Sequence, residues 1–220
     1  WRELLMIQHG GQWTKKDGGI AGNGNLFHYK EAVKHLWPHI AQHRWFDLFL
    51  EKWLEFKYIA VLGPKSSGKT CCAAICHLVD YYAFSHCTTV VVCSDTKENL
   101  EDRIWGEIKK LHRMAKQEYA WLPGQLIEGR TRIVTDQRDE FSEGRDFRNG
   151  MVGVPVKKGN AVVGISAFVG RKNKRVRFCA DELSLLPMSF IDATASQANP
   201  EVKVTGMGNP ATTTDALGAL

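Results

Sequence analysis

Tyr58-Ile59-Ala60-Val61-Leu62 is an apolar run, and Gly63-Pro64-Lys65-Ser66-Ser67-Gly68-Lys69-Thr70 follows it without a gap. The second stretch fits the pattern G-x-x-x-x-G-K-[ST], and each position in it has a physical task. Gly63 and Gly68 let the backbone turn so that its N–H groups face inward at phosphate oxygens. The helix that opens there adds about half a positive charge at its N-terminus. Lys69 is placed to reach β- and γ-phosphates, and the Thr70 hydroxyl to ligate Mg²⁺. Patterns this short arise by chance, so the flanks matter. A buried strand before the loop and a buried helix after it are the context such a loop needs. Lys69–Phe84, apolar on nearly every face, reads as that helix. Gly63, Pro64, Lys65, Ser66, Ser67, Gly68, Lys69 and Thr70 are therefore the candidate phosphate cradle.

Working outward, Thr88–Cys93 reads as a second buried strand. Asp95 follows as a helix N-cap with Glu98 at capping-box spacing. Leu100, Ile104, Ile108, Leu111 and Ala115 then recur at helical intervals and predict one amphipathic helix to about Tyr119. Arg175–Ala180 and Val202–Thr205 complete the strand set, and strands alternating with helices predict a parallel sheet covered on both faces. Upstream, residues 1–25 read as loops with one short helix. Residues 28–56 read as two aromatic-rich helices separated at Pro38. These helices are read as a small subdomain docked on the core, a reading compatible with an adenine platform near the loop. The chain divides at residues 1–56 and 57–220.

Arg175–Ala180 ends in Asp181-Glu182. Beside a phosphate loop, a strand-end Asp holds Mg²⁺ through water, and a Glu directly after it can polarise the attacking water. The plainer alternative is a solvated acidic pair that caps the next helix. No N-K-x-D guanine pattern is present, since Asn173-Lys174 is followed by Arg175-Val176, so adenine is expected. A third element, Lys203-Val204-Thr205-Gly206-Met207-Gly208-Asn209-Pro210, would put polar residues beside the γ-phosphate, although Gly-Asn-Pro is also a good turn.

Composition bounds these readings. The chain has 220 residues, of which 44% are hydrophobic, enough to bury a core without disulfides or structural metal. Its formal charge of +5 allows local contact with nucleic acid but does not make a polybasic tail. The six cysteines include no C-x-x-C pair and read as buried thiols. No signal peptide and no apolar run long enough for a bilayer is seen, so no membrane association is expected.

Over residues 42–215 this order of motifs resembles the ATPase domain of the large terminase subunit, the DNA-packaging motor of tailed bacteriophages and herpesviruses. The resemblance implies an α/β P-loop NTPase of the ASCE, RecA-like type, with a mainly parallel sheet flanked by helices. It implies an ATPase using ATP and Mg²⁺ to translocate double-stranded DNA into a procapsid. Glu182 would be the catalytic carboxylate, Lys69 would hold phosphate, and Thr70 and Asp181 would hold the metal. Thr205 and Asn209 would serve as coupling residues, although Thr-Gly-Met-Gly-Asn-Pro departs from the usual pattern. Lys65 stands where many members carry a basic residue. Gln42 is the nearest glutamine to the family's adenine reader. Arg171 is the best match for an arginine that acts on a neighbouring subunit's γ-phosphate, with Arg145 and Arg148 as rivals. Implied partners are a homo-oligomeric ring on a portal and a small terminase subunit, in the cytoplasm of the infected host cell. The family's nuclease domain is not expected in this chain. Two other readings stay open: a helicase-like or RecA-like ATPase on single strands, and a nucleotide-gated assembly ATPase. Arg171–Arg177, Lys157-Lys158 and Arg145–Arg148 are candidate DNA-phosphate contacts or solvated surface.

Overall fold

The computed structural model describes residues 2–10, 24–135, 149–156, 173–197, 201–209 and 215–220. Strands β1 (Tyr58–Leu62), β2 (Thr88–Ser94), β3 (Gln125–Ile127), β4 (Arg132–Val134), β5 (Gly150–Pro155), β6 (Arg175–Ala180) and β7 (Glu201–Gly208) form one sheet in the order β1-β7-β6-β2-β5-β4-β3. The pairs β1–β7, β7–β6, β6–β2 and β2–β5 are parallel, while β5–β4 and β4–β3 are antiparallel. The parallel strands therefore present their carboxyl ends along one edge, where open α/β sheets bind ligands. The α/β P-loop architecture with a mainly parallel sheet is as expected.

Side-chain alternation splits the interior into two layers. In β2, Val90 and Val92 join one apolar cluster while Val91 and Cys93 join the other. The first layer lies under α1 (Arg2–Gln8), α2 (Gly24–Leu36), α3 (Arg44–Glu55), α4 (Lys69–Ala83), α5 (Lys97–Asp102) and α6 (Ile104–Glu118). The second holds Phe178, Val204 and Leu217, together with Phe190 of α7 (Ser189–Ala195). Trp37 and Trp53 are fully buried in the first layer, with their indole N–H groups donated to Leu111 O and Thr205 Oγ1. Neither can serve as an adenine platform. Lys203 donates its ammonium to Trp53 O and Phe56 O, satisfying carbonyls at the end of α3 and joining that helix to β7.

The single amphipathic helix expected after β2 is two helices. Arg103 (φ −108, ψ −100) leaves helical geometry and separates α5 from α6. The cap is also one residue later than expected. Thr96, not Asp95, accepts the Asn99 N–H, and Asp95 accepts the Asn99 side-chain amide instead. A second correction concerns the basic run. Arg175 and Arg177 do not face solvent: both pair with the buried Asp80 of α4, and Arg175 also pairs with Glu201. They are unavailable as DNA-phosphate contacts. The six cysteines are free; Cys72, Cys76, Cys93 and Cys179 are buried as expected, whereas Cys71 and Cys87 are only half-buried. Among the described residues, no helix is long and apolar enough to cross a membrane.

The burial of His77 predicts a fold that loses stability in acid. Its ring stands edge-on to Trp53, both ring nitrogens are buried without hydrogen-bond partners, and burial pulls its pKa down to about 3. Burial likewise pulls His112 down to about 4. Both folded-state values lie below the ordinary value near 6.5, so below that pH the unfolded chain binds more protons. The stability these two histidines contribute is then complete above about pH 6.5 and falls as pH drops toward 4; Asp181, raised to about 6 by burial, works in the opposite sense below pH 6. The loss is on the order of 2 kcal/mol per histidine by about pH 5. Urea unfolding at pH 7.5 and pH 5 should show a net loss, and His77→Phe should remove its share, about 2 kcal/mol. An unchanged slope in that variant would assign the acid sensitivity elsewhere.

Candidate nucleotide site

The loop between β1 and α4 bends through two left-handed residues, Ser66 (φ 63) and Gly68 (φ 82). Gly68 is the residue from which α4 starts, and its carbonyl accepts the Cys72 N–H. Any L side chain at Gly68 would be strained, which is the physical need for glycine there. Lys69 folds back over the loop, donating to Gly63 O at 2.5 Å and Pro64 O at 2.8 Å, with Ser67 Oγ at 3.4 Å. A Cβ on Gly63 would lie 3.3 Å from Ser67 Oγ, so a side chain there would press on the Ser67 hydroxyl, while Lys69 Cδ at 3.7 Å would be in ordinary contact. Lys65 is exposed at the loop's tip, as are Pro64 and Ser66 on either side of it. Ser66, Ser67, Gly68, Lys69, Thr70 and Cys71 line a polar cavity of about 390 Å³, closed on its other side by Asp102, Arg103 and Glu107. Burial is the main cause that pushes the Cys71 thiol up to about 12, so it is no nucleophile.

Asp181 and Glu182 follow β6 at the same carboxyl edge. The Asp181 N–H continues the β2–β6 ladder by donating to Cys93 O. Its carboxylate is buried, and Oδ2 makes no hydrogen bond. Burial, then the Glu182 charge, push its pKa up to about 6, against the pull of Arg103 and Lys69. A buried carboxylate oxygen without a donor is a group that a cation would satisfy, so the residues present fit Mg²⁺. Among the described residues no group of three or more His, Cys, Asp or Glu is placed to hold an ion. Such an ion would be shared with substrate phosphates, the usual way Mg²⁺ is held. Glu182 takes a left-handed backbone (φ 50) and makes no side-chain cap to the 3₁₀ turn Leu183–Leu185. Its Oε1 instead accepts from Arg103 Nη1 at 2.7 Å.

The other expected residues are placed as follows. Asn209 comes directly after β7, at the carboxyl edge. Thr205 does not reach it. β7 runs on to Gly208, and alternation turns the Thr205 hydroxyl into the first layer, where it is fully buried and accepts from Trp53 Nε1 at 3.1 Å. It cannot touch a γ-phosphate from there. Gln42 does not line the cavity, and its amide donates to Lys30 O on α2. Arg171, Arg145, Arg148, Lys157 and Lys158 lie outside the described residues. Sequence reasoning missed Arg103. The one available cue is Gly106, whose added Cβ would meet Glu101 O at 2.8 Å and which therefore marks a tight turn.

No protein-family model and no curated protein matches the chain. Solved structures do. The large-terminase ATPase domain of Thermus phage P74-26 aligns at TM-score 0.51 and 18% identity, over 83% of this chain and 70% of that one. A point mutant of the same domain gives 0.52 and 14%, over 82% and 69%. The chain has the fold of a large-terminase ATPase domain. The large terminase of another thermophilic bacteriophage, solved in complex with ADP, aligns at 0.50 and 17% over 83% of this chain. This chain spans 38% of that terminase.

Proposed function

We propose that this chain hydrolyses ATP to drive double-stranded DNA into a procapsid, as the motor domain of a large terminase. The observation that carries the reading is one edge holding both halves of a hydrolytic site: a left-handed, lysine-bearing loop and a strand-end Asp-Glu pair. Lys69 would leave the loop carbonyls for the β- and γ-phosphates, and loop N–H groups would orient the chain of phosphates. Thr70 and Asp181 would hold Mg²⁺, which when bound neutralises phosphate charge. Glu182 would take a proton from water as its oxygen bonds to the γ-phosphorus. The bond to the bridging oxygen breaks, releasing ADP and phosphate. A neighbouring subunit's Arg171 would stabilise the charge, and such residues are worth ~10³–10⁵ in rate. Duplex DNA, a ring on a portal and a small terminase subunit are the partners this reading requires.

Steady-state hydrolysis at increasing protein concentration, with no DNA, linear duplex or single strand, tests it. Greater stimulation by duplex, rising more than linearly with protein, is the expected result. Preference for single strands would favour the helicase-like alternative, and indifference to DNA an assembly ATPase. Lys69→Ala should weaken nucleotide binding at least about tenfold, the scale of a lost charge-assisted contact. Unchanged binding in that variant would remove the loop from the site.

A further inference from the structure

Arg103 occupies an uncommon position. The break at its backbone both ends α5, where its N–H bonds Asn99 O, and starts α6, where its carbonyl accepts the Glu107 N–H. At this break Arg103 lines the cavity beside the phosphate loop, and its guanidinium reaches the Glu182 carboxylate at 2.7 Å. Glu182 and Ser66 are the non-glycine residues with positive φ among those described, and Arg103 links the two turns, bordering the cavity at Ser66 and bonding Glu182.

The Arg103 and Glu182 side chains keep 45% and 23% of their surface exposed. A pair so accessible contributes little and exchanges readily. A polyphosphate in the cradle offers the same guanidinium a more highly charged, bidentate partner. We propose that Arg103 is shared between two anions: it holds Glu182, and it moves to the terminal phosphate of a bound nucleoside triphosphate, releasing the carboxylate toward water. Arg103 is thereby a residue of the same chain that distinguishes triphosphate from diphosphate and positions the base. The inference rests on the nucleotide reading above. It follows from differential affinity, since only a ligand with a terminal phosphate within reach of Arg103 can draw it from Glu182.

The test is equilibrium binding of ADP and of a non-hydrolysable ATP analogue to the full chain and to Arg103→Ala, Arg103→Lys, Glu182→Gln and the Arg103→Ala/Glu182→Gln double variant. Arg103→Ala should weaken the triphosphate about tenfold and change ADP less than twofold, with Arg103→Lys recovering part of the loss. Glu182→Gln should tighten the triphosphate up to about fivefold by freeing Arg103, and the tightening should vanish in the double variant. A structural role would shift both nucleotides together. An unchanged triphosphate-to-diphosphate ratio in Arg103→Ala and Arg103→Lys overturns the proposal while leaving nucleotide binding intact. Failure of the unaltered chain to bind either nucleotide would remove the parent reading as well.

Discussion

Glu182→Gln is expected to lower ATP turnover by about 10²–10⁴-fold, the range that a positioned general base contributes. Binding should be kept, or tightened by no more than about fivefold. Glutamine nearly matches the shape of glutamate but cannot accept the proton that water must lose. The backbone at this position is already turned to φ 50 without a side-chain cap, so the turn itself should persist. The substitution separates two jobs that share the carboxyl edge. In the proposed mechanism Lys69 and the loop would hold phosphate, so loss of Lys69 should appear in affinity. Glu182 would act on water, so its loss should appear in the chemical step. Single-turnover hydrolysis beside nucleotide titration measures both. Normal turnover in Glu182→Gln would make the pair with Arg103 a surface ion pair and move the base elsewhere.

Local signals with one physical meaning are legible in the sequence. Tyr58–Leu62 and Arg175–Ala180 are strands with the expected bounds, but Tyr58–Leu62 is not the buried strand expected: it lies at the end of the strand order, Val61 is its one buried residue and Leu62 is 51% exposed. The phosphate loop is legible because its glycines answer a backbone need. What escapes a reading of the sequence depends on partners distant along the chain. Thr205 looks like a strand-end residue because Gly206 and Gly208 look like a turn. Gly206 is instead a strand glycine at a close approach, where an added Cβ would fall 2.1 Å from Leu183 Cδ2. Arg103 sits in a run of charges that resembles any solvated helix face. Its contact with Glu182 exists only because β6 delivers that carboxylate to it. Arg175 and Arg177 look like a basic surface because their counter-charge, Asp80, is in a largely buried helix almost a hundred residues earlier.

Asp80→Asn is expected to destabilise the fold by about 3–5 kcal/mol, the usual cost of removing one partner from a buried ion pair. Asp80 is 2% exposed and accepts from Tyr29 Oη at 3.0 Å, Arg175 Nη2 at 2.7 Å and Arg177 Nε at 2.9 Å. Burial alone would raise its pKa, but Arg177 and then Arg175 outweigh that and hold the carboxyl below its ordinary range. The charge is therefore kept because two guanidinium groups surround it. Arg175 is further fixed over the Phe84 ring, its Cζ 3.7 Å from the centroid. Asparagine would leave both arginines charged in the interior, with Glu201 as the remaining acidic partner of Arg175. For a chain of this size the loss corresponds to a melting temperature lower by about 10 °C. Replacing Asp80, Arg175 and Arg177 together with apolar residues should recover much of it, because desolvating the cluster also costs free energy. The same measurement decides between two roles for these arginines. If they served as DNA-phosphate contacts, Asp80→Asn would leave stability unchanged, and Arg177→Ala would reduce the salt dependence of duplex binding. If they fasten α4 to β6, both substitutions should lower the melting temperature and leave that salt dependence as it was.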